Sequence, residues 1–466
     1  MFELEFYGAA GEVTGSCHIL RVGERQVLLD CGLIQGGRDA DTRNAQPFPF
    51  DASRIDAVVL SHAHLDHSGR LPLLVKRGFS GRIHTQNASR ELCGILLEDA
   101  GYLQESFAER RNRRRKQGSD RIVPLYTMDD AKETLPYVTG HRYHIWFDVC
   151  DGVRARFLDA GHIMGSAIVE VELEQDSDRR TLLFSGDLGQ FDTPILRDPE
   201  FPEHADLVLM ESTYGDRKHR DRADTLIELK ELFDATHAKK GNILIPAFAV
   251  GRSQEILYHL GKNFRNWRLD RWRIFLDSPL AIAATRIYWD YPHLYDDEAT
   301  KLSRKMNPMP SIPNLILSQS ADDSRRINEI LSGAIIIAGS GMCTGGRILH
   351  HLKRNLFLPQ ASILFTGFQA YGSLGRRIVD GADEVRLFGD SYNVKAHVAT
   401  VGGLSAHGDA DDMSCWYGSI RGTPPVYLVH GDEDAAKVFK RKLEDEHGAR
   451  VTLPRPGTKV DLRGIA

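Results

Sequence analysis

The sequence predicts an α/β chain in which a strand-rich domain is interrupted by a second domain built on a mainly parallel sheet. Three observations carry this reading. Short alternating strands separated by glycine-bearing turns dominate the first part of the chain. After about Glu211 strands alternate with helices, the pattern of a parallel α/β layer. From about Val394 the strand-rich texture returns, as it would if the middle domain were inserted into the first. The length of 466 residues suits two or three domains, and 42% hydrophobic with 26% charged residues excludes a disordered chain.

Taken in order, Phe2–Tyr7, Ser16–Arg21 and Gln26–Asp30 read as strands. Asp56–Leu60 is a buried-type strand running into Ser61, and a helix is expected from Gly69 to Lys76. Helical periodicity covers Asn87–Ala108 and ends in the basic run Arg110–Lys116. Further strands are expected at Tyr143–Phe147, Val153–Leu158, Ala167–Leu173 and Thr181–Phe184. The middle region alternates strands at Asn242–Pro246, Arg273–Leu276, Leu315–Ser318, Ala334–Ala338 and Ser362–Thr366 with helices from Ser253, Ala281, Asp322 and Arg347. The last region offers strands at Val394–Val401 and Val426–Val429 around a helix at Asp409–Tyr417.

With 59 Lys and Arg against 64 Asp and Glu, the net charge of -5 excludes a strongly basic polyanion binder but leaves room for a local basic cleft. The six cysteines form no CxxC pair, so free thiols in a reducing compartment are expected. Neither a signal peptide nor a membrane-spanning apolar run is read, and the expected location is the cytoplasm.

The sharpest signal is His62-x-His64-x-Asp66-His67, placed directly after a buried strand. Imidazole and carboxylate suit Zn²⁺ or a similar divalent ion. Four potential ligands within six residues exceed what one open tetrahedral site takes from one loop, so two ions with distant additional ligands are expected. His162, Asp187 and His430 each follow a strand and have a glycine beside them, and they supply those ligands.

This set resembles the metallo-β-lactamase superfamily. With Asp30, Glu211 in Glu211-Ser212-Thr213, His407 in Leu404-Ser405-Ala406-His407 and His430, it is similar to the β-CASP branch, which contains ribonuclease J type enzymes and the nuclease subunit of the cleavage and polyadenylation specificity factor. Gly251-Arg252-Ser253-Gln254-Glu255, Asp277-Ser278-Pro279-Leu280 and Ser340-Gly341-Met342 extend the resemblance through the middle region.

The resemblance implies a four-layer αββα sandwich, residues 1–210 and 394–466, with an inserted β-CASP domain over 211–393. It implies that His62, His64 and His162 bind one zinc, that Asp66, His67 and His430 bind a second, and that Asp187 bridges them. Asp30 would orient the metal loop; a buried turn carboxylate capping backbone amides is the alternative.

Such a centre would hydrolyse phosphodiester bonds through a hydroxide activated by the two metals. His407 is the expected general acid, held by Glu211, with a plain helix-start turn residue as the alternative. Ser340 and Gly341 open a glycine-rich turn suited to an anion, as does Gly367–Arg377, and Ser405 with His407 would contact a phosphate.

The expected function is that of a zinc-dependent endonuclease and/or 5′→3′ exonuclease on single-stranded RNA, with a homodimer possible. Relatives directed at DNA carry a smaller apolar residue at the position of His430, and this chain's histidine tips the choice to RNA. A thioester or lactam hydrolase, an iron oxidoreductase and a metal-free scaffold are the alternative classes. The chain end at Ala466 departs from long-tailed ribonuclease J enzymes and favours shorter processing-type members. The run Arg110–Lys116 reads as a solvated helix end or as a phosphate-contacting arm.

Overall fold

Period-two burial along Val153–Asp159 continues into residues buried on both faces, such as the neighbours Phe157 and Leu158, and Asp178–Phe184 likewise ends in a continuously buried run that includes Leu182 and Leu183. Strands of this kind need cover on both sides. The computed structural model describes residues 1–37, 39–113, 121–305, 311–367 and 369–465. It divides into two units, one of residues 1–193, 197–218 and 407–466 and the other of 194–196 and 219–406.

The first unit holds two seven-stranded sheets. One runs in the order Lys459–Asp461, Phe2–Gly8, Cys17–Val22, Arg25–Leu29, Ala57–Val59, Arg82–Gln86, Val138–His141. The other runs Val451–Thr452, Val426–Val429, Leu207–Glu211, Asp178–Phe184, Ala167–Gln175, Val153–Asp159, Phe147–Cys150. Leu4, Phe6, Leu20, Leu29 and Val59 of the first meet Phe157, Val171, Phe184 and Leu209 of the second in one buried layer. Each large side chain there contributes about 1.5–3 kcal/mol of hydrophobic stabilisation.

The opposite face of the second sheet, with Ile168, Leu183, Val208 and Met210, packs under Met413, Trp416, Phe439 and Leu443. Those residues come from helices Ala410–Gly418 and Glu433–His447. Helix Asn87–Arg113 turns Ala88, Leu92, Leu96 and Ala100 inward and covers the first sheet's strands Arg82–Gln86 and Val138–His141. The layers are therefore helix, sheet, sheet, helix.

The second unit is built on a parallel sheet ordered Leu315–Leu317, Arg273–Asp277, Ala334–Ala338, Ile243–Pro246, Ser362–Phe365, His397–Thr400. Alternate residues serve two cores: Ile245, Ile274, Ile337 and Leu364 on one side, Leu244, Phe275, Ile336 and Ile363 on the other. Among the described residues no helix is long and apolar enough to cross a membrane.

Several elements differ from expectation. The strand expected at Tyr143–Phe147 starts at Phe147, because His144 takes a left-handed turn conformation (φ 67°). The strand expected over Val394–Val401 is His397–Thr400, and it extends the second unit's sheet beside Ser362–Phe365. The helix expected over Gly69–Lys76 is Leu71–Lys76, and a separate short helix, Leu65–Ser68, precedes it. Arg110, Arg111 and Arg113 end the long helix, where Arg111 lies over the Phe107 ring and Arg113 faces Glu109; Arg114–Lys116 lie outside the described residues.

Candidate metal centre

Strands Arg25–Leu29, Ala57–Val59 and Arg82–Gln86 are parallel, as are Asp178–Phe184, Leu207–Glu211 and Val426–Val429. Their carboxyl ends therefore deliver Asp30, His62, Asp187, Glu211 and His430 to one rim of the sandwich. His162 follows Val153–Asp159, which runs in the same direction through two antiparallel pairings.

Three overlapping groups of ligand atoms converge there. One atom each from His62, His64, His162 and Asp187 lie within 4.8 Å of one another, Asp66, His67 and His430 form a second such group, and Asp187, Glu211 and His430 a third that overlaps both. His64 Nδ1 lies 3.1 Å from both His62 Nε2 and His162 Nε2, and His67 Nε2 lies 3.1 Å from His430 Nε2. Ring nitrogens of this kind cannot all satisfy one another, because each N···N pair needs one donor and one acceptor. A tetrahedral zinc spaces its ligand nitrogens by about 3.3 Å, so the crowding fits a metal.

Asp187 lies between the groups, 2% exposed. Its Oδ2 is 3.5 Å from both His62 Nε2 and His162 Nε2; its Oδ1 is 3.2 Å from His67 Nε2 and 3.6 Å from His430 Nε2. Oδ1 is buried without a hydrogen-bond partner, which an acceptor oxygen reserved for a cation explains. Asp66 Oδ2 is 3.4 Å from His430 Nε2.

The outer nitrogens are anchored. Asp30 accepts from His67 Nδ1 (2.7 Å), Ser16 Oγ (2.9 Å), Ser61 Oγ (3.0 Å) and the Ser61 amide (2.8 Å). Ser61 Oγ, donating to Asp30, accepts from His62 Nδ1 at 3.1 Å. Thr213 Oγ1 donates to the His430 carbonyl and accepts from His430 Nδ1, both at 3.0 Å. These bonds fix the tautomers and leave Nε2 of His62, His67 and His430 facing inward. Asp30 and His430 take left-handed backbone conformations (φ 61° and 49°), a cost of about 1–2 kcal/mol each that these bonds help offset.

Electrostatics follow the geometry. Burial holds His62 well below the usual imidazole range, and His67 repels its charge further. Burial lowers His64 to about 4. Burial opposes the charge on His67, but Asp187 and Asp30 outweigh it and raise that ring. Burial would raise Asp187, yet His430, His67 and His62 hold its carboxyl well below the normal range.

Glu211 is fully buried; its Oε1 accepts the Leu188 amide at 2.6 Å and its Oε2 lies 3.1 Å from His407 Nδ1. Burial disfavours protonated His407, but the Glu211 charge and hydrogen bond prevail, with Asp187 and Asp66 adding, and push it up to about 9. Its ring lies tilted against His162, with centroids 4.5 Å apart and the planes at 46°.

All seven expected ligands, Asp30, Glu211 and His407 thus belong to the first unit and converge. Ser340, Gly341 and Ser405 belong to the second unit. Ser16, Ser61 and Thr213 escape a sequence reading of the site. A hydroxyl residue directly before His62 and a Thr two places after Glu211 are the only signals for the latter two.

Close packing also constrains Gly32. A Cβ there would come 1.6 Å from the Asp66 carbonyl oxygen, which already accepts the Ser16 amide at 2.8 Å. Gly32→Ala is expected to push the metal loop outward and cost on the order of 3 kcal/mol. A lowered denaturation midpoint together with reduced bound metal per chain checks this.

Three family models match: "Metallo-beta-lactamase superfamily" over residues 10–233, "Beta-Casp domain" over 253–378, and "Zn-dependent metallo-hydrolase RNA specificity domain" over 391–454. Ribonuclease TTHA0252 of Thermus thermophilus is 39% identical, covering 98% of this chain and 99% of its own length. The chain belongs to the β-CASP branch of the metallo-β-lactamase superfamily. Transcription termination factor FttA of Methanothermobacter thermautotrophicus is 32% identical over 91% of this chain and 66% of its own length. The crystal structure of a protein of unknown function from Enterococcus faecalis V583 shares the fold, with a TM-score of 0.54 at 12% identity over 98% of this chain and 99% of that one. This β-CASP protein is a metal-dependent hydrolase, and its His/Asp cluster is able to hold metal.

Proposed function

We propose that the chain is a zinc-dependent ribonuclease that hydrolyses phosphodiester bonds of single-stranded RNA, by internal cleavage, by 5′→3′ removal of nucleotides, or both. The observation that carries this is Asp187 shared between two ligand groups, with a Glu211-held imidazole beside them. The name of the Thermus relative and the description of the model matching residues 391–454 support RNA as the substrate. His430, where DNA-directed members carry a small apolar residue, supports it further.

In this reading His62, His64, His162 and Asp187 hold one zinc, and Asp66, His67, His430 and Asp187 the other. When bound, the ions supply Lewis-acid polarisation of a phosphoryl oxygen and a more acidic water. The chain's own residues do the rest. Asp30, Ser61 and Thr213 lock the imidazoles so that their inward nitrogens need no reorganisation during the reaction. His407, its Nδ1 engaged by Glu211, gives the proton on Nε2 to the oxygen that leaves phosphorus. Glu211 keeps that proton available by favouring the charged ring. Ser340, Gly341 and Ser405 contact phosphates of the bound strand.

The test is cleavage of end-labelled RNA carrying a 5′-triphosphate, 5′-monophosphate or 5′-hydroxyl by zinc-loaded protein. Chelator-sensitive shortening of the RNA is expected, and product lengths separate internal from 5′-end attack. Failure to cut any RNA while cutting single-stranded DNA or a thioester would overturn the reading.

A further inference from the structure

The second unit carries two exposed aromatic rings on loops at the same sheet edge. Ala334–Ala338, Ile243–Pro246 and Ser362–Phe365 are neighbouring parallel strands, so the loops after them leave from one edge. Open parallel sheets bind ligands outside their strands' carboxyl ends. Phe248 follows the central strand and is 44% exposed; Tyr371 follows Ser362–Phe365 and is 98% exposed.

Both positions are fixed by their surroundings. The Ala247 amide donates to the Ala338 carbonyl (3.0 Å), and the Phe248 carbonyl accepts from the Ser253 hydroxyl (2.7 Å) and amide (3.2 Å). The Phe248 ring rests on Gly341 so closely that a Cβ there would meet ring carbons at 2.9 Å. One part of the ring is thus seated on backbone while the rest faces solvent.

Tyr371 sits at the corner of a turn closed by the Ser373 amide and the Ala370 carbonyl (3.1 Å), with Gly372 at φ 81°. That is the geometry of a type II turn. Buried Gln369 donates its amide to the Gly341 carbonyl at 3.0 Å, and the Gly375 amide donates to the Met342 carbonyl at 3.1 Å. The turn carrying Tyr371 is therefore tied to the same Gly341 segment on which Phe248 rests.

We propose that Phe248 and Tyr371 form a stacking platform for bases of a single RNA strand, a proposal that rests on the ribonuclease reading. The two rings stand on separate loops tied to one Gly341 segment, and single-stranded RNA, the substrate class of the proposed function, offers successive flat bases to such rings. Stacking accepts every base, because each has a π face, so the platform grips RNA without reading sequence. Its contribution is to binding, and Phe248 and Tyr371 take no part in the bond-breaking step.

The test compares two 12-nucleotide RNAs with full-length zinc-loaded protein, one bearing all its bases and one with three consecutive abasic ribose units. The wild-type protein should show a KM about tenfold higher for the abasic RNA. Phe248→Ala and Tyr371→Ala should each raise KM for the base-bearing RNA several-fold, leave kcat within about threefold, and shrink the abasic penalty toward one. Phe248→Trp should restore the penalty, which a merely structural role would not predict. Cleavage by wild type with no abasic penalty, or alanine variants that keep the penalty, would overturn the platform alone. Wild-type protein that cuts no RNA would overturn the ribonuclease reading and the platform with it.

Discussion

Asp187→Ala is expected to lower hydrolysis by on the order of a thousandfold or more and to strip metal from the centre. Each oxygen of Asp187 faces a different ligand group: Oδ2 is 3.5 Å from His62 and His162, Oδ1 is 3.2 Å from His67. Any other ligand's loss leaves one group intact. Loss of Asp187 removes an anion from both, leaving His62, His64 and His162 with nitrogens 3.1 Å apart and no carboxylate among them, and His67 and His430 with Asp66 alone. Asp187→Asn separates charge from shape, since the amide fills the space but supplies only one neutral oxygen. Metal content by mass spectrometry after dialysis is the direct measurement. The Asn variant should retain fewer than two equivalents of zinc per chain and fail in the RNA assay. Two tightly held equivalents in Asp187→Ala would refute the bridging role.

The metal loop is legible because its chemistry is concentrated in six consecutive residues after an apolar strand, from His62 to His67. His162, Asp187 and His430 are legible because each stands at a strand end beside a glycine. Ser16 and Ser61 are not, since a serine hydroxyl is common everywhere and only the fold brings both to Asp30, at 2.9 and 3.0 Å. The strand Arg82–Gln86 goes unread because its residues, Arg-Ile-His-Thr-Gln, are mostly polar and pass straight into a helix. Helices Arg222–Ala238 and Glu433–His447 go unread for a related reason, their charged residues masking the buried Phe233 and Phe439. His397–Thr400 is recognisable as extended chain, but which sheet it joins depends on parallel pairing with Ser362–Phe365, a partner more than thirty residues away.

The second large effect concerns proton supply. His407→Ala is expected to reduce kcat by about 10²–10⁴-fold, the range of a positioned general acid, with zinc content and KM little changed. Glu211→Gln should act differently, because Glu211 acts on the reaction only through His407. Its carboxylate, 3.1 Å from Nδ1, is the main influence raising His407, which burial alone would lower. If the protonated ring is the active form, activity falls as pH rises through the His407 pKa. Removing the Glu211 charge lowers that pKa, so the alkaline limb of the kcat profile should move to lower pH by about one unit or more. With its oxygen toward Nδ1 the amide accepts from the ring while its nitrogen faces the Leu188 amide, so the ring's orientation is kept at some cost to the fold and the loss at acidic pH should be smaller than at alkaline pH. A uniform loss at every pH would mean that Glu211 serves the fold through the Leu188 amide, 2.6 Å from its Oε1, and does not tune the acid. A leaving group of lower basicity should rescue His407→Ala more than wild type, because it needs less protonation to depart. An aryl phosphodiester supplies that comparison, and equal losses on both substrates would remove His407 as the proton donor while leaving the ligand assignments standing.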